Sequence, residues 1–443
     1  MWPENFREQI NQILGPEKDL FFKALESAPV TSLRQNPLKK FQIESSNTVP
    51  WCSGGYYLEH RPSFTLDPLF HAGCYYVQDA SSMFLEQALK QTTDLTKPLH
   101  VLDLCGAPGG KTTHLLSLLN QESVLVTNEV IRSRVPVLSM NVEKWGFSNV
   151  IITNNDPSDF SALGGFFDVV VIDAPCSGEG LFRKDPEASL HWSLDAVNLC
   201  AARQQRILDA VWPAVKPGGL IIYSTCTFNE EENEDTISTA LNKYQGLSLE
   251  LRTEESWGVT KHHKNGVNGY RFYPHKTKGE GFFLSVLRKS NQEEESRLVH
   301  TKRKETAKKD AALFKNLLKE SDRFLFTEKG GVSIAIPYSV AALGDQLSSK
   351  LTISHIGLTM GLAKQGKRIP DHALALSVDL KPGEFPEVDL NHDEAIRFLR
   401  KEPIVPTGSG ITRFTHKGFG LGWGNVLPGR VNNMLPTSWR ILK

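Results

Sequence analysis

Between residues 99 and 225 the chain alternates short apolar runs with stretches of helical spacing, the pattern of an open α/β sheet. Val101, Leu102 and Leu104 predict a buried strand, and Leu115, Leu116, Leu118 and Leu119 predict the apolar face of the helix after it. Further strands are expected at 123–128, 150–153, 167–173, 220–224 and 281–288, with a long helix around 196–212. Upstream, Phe6, Ile10, Ile13 and Leu14 share one helical face, broken at Gly15-Pro16, and residues 78–89 again have helical spacing. Between these helices, Arg34, Lys39 and Lys40 surround a turn at Asn36-Pro37 and read as solvated surface. Residues 48–78 hold Trp51, Tyr56, Tyr57, Phe64, Phe70, Tyr75 and Tyr76 among glycines and prolines; a small aromatic core is favoured over a base-stacking surface.

Residues 289–310 are charged and poor in apolar residues, which predicts a linker. Beyond it, residues 324–443 break short apolar runs with many glycines and prolines and carry the basic piece Lys364 to Arg368. That predicts a separate, strand-rich domain with a short helix near 391–401.

Composition narrows the class. At 443 residues and 40% hydrophobic content, a soluble globular chain of two or three domains is expected. No run of 18 apolar residues suggests a spanning helix, and the start MWPENFREQI lacks the build of a secretion signal. The cysteines at 52, 74, 105, 176, 200 and 226 form no C-x-x-C pair, which argues against a zinc site or disulfide framework and for a reducing cytoplasm. A formal net charge of zero leaves any nucleic-acid affinity to local basic patches.

The chemistry centres on VLDLCGAPGGKTTHLL, residues 101–116: a strand, a glycine-rich turn and a helix start. A P-loop would need glycine where Cys105 stands, and the dinucleotide fingerprint does not fit glycines at 106, 109 and 110. A nucleoside cofactor without a pyrophosphate remains, S-adenosylmethionine being the common one; an NAD-linked oxidoreductase is disfavoured. Acids stand at successive strand ends: Glu129 suits two ribose hydroxyls, Asp156 can accept from an adenine amino group, and Asp173 closes the fourth strand. Such acids also cap helices. Two polar loops after strands carry cysteines, DAPCSGEG with Cys176 and YSTCTFNEEENE with Cys226, and both can face the cofactor cleft. Cys52, Cys74 and Cys200 read as small buried residues.

Two cysteines suit one demanding reaction. Carbon 5 of a pyrimidine is a poor nucleophile, but a thiolate adding at carbon 6 pushes electron density onto carbon 5, which then takes a methyl group. Loss of the carbon-5 proton and elimination of the thiol need a second group. Asp173 could hold a proton against the ring nitrogen of cytosine, and Lys111 could add positive charge nearby. Spacing does not assign which cysteine attacks.

DLCGAPGGKT, DAPCSGEGLFRKDPEA, AARQQRIL, KPGGLIIYSTCTFNEEENE and RFYPHKTKGEGFFL, with SLRQNPLK and YYVQDASS upstream, resemble the Sun/Fmu-type RNA cytosine-5 methyltransferases. The resemblance implies a class I, Rossmann-like methyltransferase sheet using S-adenosylmethionine. Cys105, Gly106, Ala107, Pro108, Gly109, Gly110, Lys111, Glu129, Asp156 and Asp173 would line the cofactor and base site; Cys226 would be the nucleophile, with Cys176 assisting release. Cys-Gly-Ala stands where many members have Cys-Ala-Ala, which touches nothing essential. The tail, with GLTMGLAKQGKRIP and GFGLGWGNV, resembles the RNA-binding region with a PUA-like module found in bacterial enzymes that modify 16S ribosomal RNA. The expected layout is an N-terminal RNA-binding region (1–75), a methyltransferase domain (76–290), a charged linker (291–311) and a C-terminal PUA-like RNA-recognition domain (312–443). The expected substrate is RNA of the small ribosomal subunit, with no metal, no membrane and a monomer favoured. Transfer RNA is the competing substrate, and a non-catalytic RNA-binding assembly factor is the competing class.

Overall fold

The computed structural model describes residues 2–43, 45, 47–291, 313–364 and 366–442. The chain opens with helices Glu4–Leu14 and Lys18–Leu25, joined by a turn at Gly15–Glu17. The buried side chains of this hairpin, Phe6, Ile10, Phe21 and Leu25, pack against Phe182, Trp192, Phe228 and Tyr273 of the central domain. A three-stranded antiparallel sheet follows, from β1 (Thr31–Gln35), β2 (Gly55–Leu58) and β3 (Tyr75–Val77), in the order β2-β1-β3. Trp51, Tyr57 and Tyr75 are buried, so much of the aromatic stretch is core, as favoured.

The basic turn departs from expectation. Arg34 and Lys39 are buried, not solvated. Arg34 donates to Gln78 Oε1 (2.9 Å), Ser117 Oγ (3.0 Å), Thr113 Oγ1 (2.7 Å) and the Gly110 carbonyl (3.3 Å), and lies 4.6 Å over the Trp145 ring. Lys39 donates to the carbonyls of Ala72 (2.9 Å) and Lys144 (2.7 Å), and burial pulls its ammonium down to about 7. Charged side chains that find several carbonyl and hydroxyl acceptors can tie two layers together from the inside, which a local charge pattern cannot show.

The central sheet is built on β4 (His100–Asp103), β5 (Val124–Asn128), β6 (Val150–Thr153), β7 (Phe167–Asp173) and β8 (Val215–Thr225). These pair in parallel, β6-β5-β4-β7-β8. Short β9 (Leu247–Leu249) and hairpin strands β10 (Thr260–Lys264), β11 (Val267–Phe272) and β12 (Phe282–Arg288) follow, with β12 antiparallel to β8. Side chains alternate between faces as a pleated sheet requires. Val101, Leu125, Val169, Val171 and Ile222 pack on one side, and Leu102, Val126, Val170, Ile172 and Ile221 on the other. Helices Leu85–Thr92, Gly110–Leu118 and Val135–Trp145 cover the first face; Leu194–Val211 and Thr236–Tyr244 cover the second.

The tail is not separate from this domain. β13 (Phe324–Lys329) and β14 (Val332–Pro337) lead into helix Tyr338–Leu347, whose Val340, Leu343 and Leu347 join the second face of the central core. β15 (Ile353–Ile356) then pairs antiparallel with β6 and closes that edge of the sheet. An exposed β6 would present unpaired backbone groups, and the downstream chain covers it. β16 (Leu358–Lys364) and β17 (Lys367–Pro370) complete a sheet in the order β13-β14-β16-β17. A last sheet, β18 (Glu387–Asp389), β19 (Gly410–His416), β20 (Phe419–Leu427) and β21 (Arg430–Asn433), carries helix His392–Leu399. Its Phe398, Phe414 and Leu421 share a core with Leu33, Leu69 and Tyr75 of the N-terminal region. All but the first residue of the expected linker, 291–311, lies outside the described residues.

Candidate active site

Strand order reverses at β4, with β5 and β6 on one side and β7 and β8 on the other. Open α/β sheets bind ligands in the crevice beyond the carboxyl ends of the strands at such a point. A cleft of about 940 Å³ opens there. Leu104, Cys105, Ala107, Pro108 and Lys111 line it from the loop after β4, with Glu129 after β5, Asp156 beyond β6 and Asp173 ending β7. Cys176 and Cys226 line it from the loops after β7 and β8. Gly106, Gly109 and Gly110 shape the wall rather than form it. A Cβ at Gly106 would lie 2.1 Å from Thr127 Oγ1, and Gly109 has φ +116°, where a side chain is strained.

The acids divide in their duties. Glu129 is buried, accepts the Ile131 N–H (2.8 Å) on Oε1, and has Arg134 Nη1 at 3.4 Å from Oε2. Asp156 Oδ1 accepts from Ser158 N (2.9 Å) and Oγ (2.6 Å), which caps the next turn and lowers its carboxyl. Asp103 is fully buried; Oδ2 accepts from Thr112 Oγ1 (2.6 Å), while Oδ1 has no hydrogen-bond partner among the described residues. Burial pushes Asp103 up to about 7. A cleft rimmed by the carboxylates of Glu129, Asp156 and Asp173 fits a ligand rich in hydroxyl, amino and cationic groups, as S-adenosylmethionine is.

At the other end of the cleft, Cys176 Sγ stands 3.2 Å from Cys226 Sγ and 3.4 Å from the Cys226 N–H. The Cys226 thiol beside it, together with burial, pushes the Cys176 thiol well up. Lys111 Nζ lies 2.8 Å from Asp173 Oδ1 and 5.2 Å from the Phe282 ring, and Ser224 Oγ donates to Asp173 Oδ1 (3.1 Å). A thiol pair and an ammonium–carboxylate pair therefore face one cavity. Cys105, beside Asp103 and half-buried in the cleft wall, has its thiol pushed up by burial.

Residues that sequence reasoning passed over also line the cleft: Val130, Ile131 and Arg134 after β5, and Arg203, Arg206 and Ile207 on helix Leu194–Val211. The latter follow helical spacing with Ala210 and so mark one face, a signal present in AARQQRIL. Cys52 is buried, as expected, but in a polar knot. Its Sγ is 3.2 Å from Glu86 Oε2 and 3.8 Å from His114 Nε2. Among the described residues this is the one His/Cys/acid group close enough to hold a metal ion, yet Lys90 and Ser53 already satisfy Glu86. No helix among the described residues is long and apolar enough to cross a membrane.

The parallel sheet with its antiparallel β12, the acid-rimmed cleft at the switch point and the glycine turn after β4 define a class I methyltransferase. Known proteins specify it further. Residues 90–288 match the family model of the 16S rRNA methyltransferases RsmB/F, residues 2–80 the N-terminal domain of 16S rRNA methyltransferase RsmF, and residues 385–441 the methyltransferase RsmF PUA domain. Ribosomal RNA small subunit methyltransferase F of Aeromonas salmonicida is 31% identical, over 88% of this chain and 84% of that one. The Vibrio vulnificus protein of the same name is 29% identical over 98% and 96%. A solved methyltransferase homologue from Pyrococcus horikoshii is 28% identical, with a TM-score of 0.54, over 65% of this chain and 95% of that one. The chain belongs to the RsmB/F methyltransferase family and is an S-adenosylmethionine-dependent methyltransferase.

Proposed function

We propose that this protein methylates carbon 5 of cytosine in 16S ribosomal RNA, with Cys226 as nucleophile and Cys176 as the group that completes release. The observation that carries the reading is the pair of sulfurs 3.2 Å apart at the end of a cofactor cleft, with Lys111 and Asp173 alongside. One thiol would suffice for a simple nucleophilic enzyme; carbon-5 transfer needs attack and then elimination.

Glu129, Asp156 and the 105–111 loop would hold S-adenosylmethionine, which would supply the electrophilic methyl group. Cys226, as thiolate, forms its S–C bond at carbon 6 of the ring, and the displaced electron pair makes carbon 5 nucleophilic. As Cys226 attacks, the Lys111 ammonium 2.8 Å from Asp173 supplies a proton that Asp173 relays to the ring nitrogen, and the proton returns when the thiol leaves. After transfer, solvent water takes the carbon-5 proton, the C5–H electron pair restores the C5=C6 bond, and the C6–S pair leaves on Cys226, whose sulfur can take a proton from Cys176 3.2 Å away. Cys176 is held as a thiol by burial and by its neighbour, which suits it to proton transfer at that last stage rather than to first attack. A target paired in a helix must be flipped out or met in an open region.

The PUA match at 385–441 and the N-terminal match at 2–80 support the RNA-binding roles of the two ends, and the names of the relatives support small-subunit ribosomal RNA as the substrate and the cytoplasm as the location. Bisulfite mapping of 16S ribosomal RNA, assembled subunits and transfer RNA incubated with the protein tests this. New 5-methylcytosine in 16S RNA or subunits is expected; modification confined to transfer RNA would overturn the substrate assignment.

A further inference from the structure

The two cysteine loops are tied to each other by side chains that neither binding nor chemistry accounts for. Glu179 belongs to the Cys176 loop and is fully buried. Its carboxylate accepts the backbone N–H groups of Phe228 (2.7 Å) and Asn229 (3.1 Å), just past Cys226. Glu232 belongs to the Cys226 loop, is equally buried, and accepts the backbone N–H of Ser177, next to Cys176, at 3.0 and 3.3 Å. Each loop thus grips the backbone of the other. Asn229 links the grips: its Nδ2 lies 2.9 Å from Glu179 Oε1 and 2.8 Å from Glu232 Oε1, and its Oδ1 accepts the Glu232 N–H (2.8 Å). The Gly180 N–H donates directly to the Cys226 carbonyl (2.8 Å).

Neither carboxylate has an ion-pair partner among the described residues, so N–H donors compensate their burial. Such an arrangement contributes little net stability, because the cost of removing charge from water offsets the hydrogen bonds gained. What it supplies is a fixed geometry: a satisfied buried network admits one arrangement. The network also reaches outward. Gln9 Nε2 on the N-terminal hairpin lies 3.1 Å from both oxygens of Glu179, and Phe21 packs edge-on against Phe228 with centroids 5.0 Å apart.

We propose that Glu179, Asn229 and Glu232 form a reciprocal brace that sets the separation and aim of the Cys176 and Cys226 sulfurs, and that the N-terminal hairpin supports this brace through Gln9. These are positioning residues, and their catalytic consequence rests on Cys226 being the nucleophile.

Two readouts test the brace separately from that reading. The first is bridging of the two thiols by dibromobimane, which joins sulfurs a few ångströms apart and fluoresces once both bromides are displaced; Cys176→Ala gives the background. The second is the rate of covalent capture of RNA containing 5-fluorocytidine, with S-adenosylmethionine affinity measured alongside. Asn229→Ala and Glu179→Gln should each slow bridging and capture by about tenfold or more, since misplacement of about 1 Å can cost a hundredfold. Cofactor affinity and RNA affinity should stay within about twofold, so the loss falls on the rate and not on binding. Gln9→Ala, at the edge of the network, should slow both by a few-fold, roughly the worth of one hydrogen bond; it decides the matter should the buried variants not fold. Wild-type bridging in Asn229→Ala or in Gln9→Ala would overturn the brace. So would a parallel fall in cofactor affinity, which marks general loosening. Capture by Cys226→Ala would overturn the nucleophile assignment instead, leaving the bridging result to stand alone.

Discussion

Arg34 offers a demanding test, because a charged side chain in the interior ought to hold the cofactor helix in place. Burial lowers its guanidinium from the ordinary arginine range to about 10, which corresponds to ~3 kcal/mol against the charged form. Four hydrogen bonds from a charged donor, at the low end of ~1.5 kcal/mol each, return ~6 kcal/mol. Arg34→Met should therefore cost about 3 kcal/mol in urea unfolding with an unchanged slope. Arg34→Lys keeps the charge but loses the planar fork and the Trp145 stack, and should cost about 2 kcal/mol. Two of the acceptors, Gly110 and Thr113, lie in the first turn of the helix after the glycine loop. Calorimetry should therefore show S-adenosylmethionine binding several-fold more weakly to Arg34→Lys. A variant within about 0.5 kcal/mol of the parent, with unchanged cofactor affinity, would refute the reasoning.

Three further outcomes are expected. Glu129→Ala should bind S-adenosylmethionine ten- to a hundredfold more weakly by calorimetry, the worth of about 1.5–3 kcal/mol of charge-assisted hydrogen bonding; unchanged affinity would remove Glu129 from the cofactor site. His114 is pulled by burial from 6.5 to about 4, so the unfolded chain binds its proton first and stability is lost as pH falls below 6.5. Comparing pH 7.5 with pH 5, His114→Gln should lose about 2 kcal/mol less than the parent on acidification, and an identical loss would contradict the burial argument. Deleting β15 by changing Ile353 and Ile356 to Asp should lower the melting temperature of the whole protein in one transition, since the strand closes the catalytic sheet; two separate transitions would show an independent tail.

The parallel sheet was legible because β4 to β8 are apolar runs ended by turn residues, and the cleft because acids recur at their carboxyl ends. That Cys176 and Cys226 face one cleft was legible from two polar, cysteine-bearing loops after strands of the same sheet; their contact comes from the fold. Three things were not legible. The burial of Arg34 and Lys39 depends on acceptors at Gln78, Thr113, Ser117, Ala72 and Lys144, far along the chain. β15 contributes four residues to a sheet whose neighbour lies some two hundred positions upstream, and nothing local announces such a partner. A truncation near residue 290 would strip that edge, so it cannot isolate the RNA-binding role proposed for the tail. Nothing in the local pattern singles out Glu179 or Glu232; only the fold brings each to the other loop's backbone.

The division of labour between the cysteines is the claim on which the account depends. RNA substrate and S-adenosylmethionine are incubated with Cys226→Ala, Cys176→Ala and the double variant, and the products are run on a denaturing gel. Cys176→Ala should still attack and transfer but stall before elimination, so it should accumulate a protein–RNA adduct. Cys226→Ala and the double variant should show none, because attack precedes release. An adduct on Cys226→Ala and none on Cys176→Ala would contradict the account and make Cys176 the nucleophile.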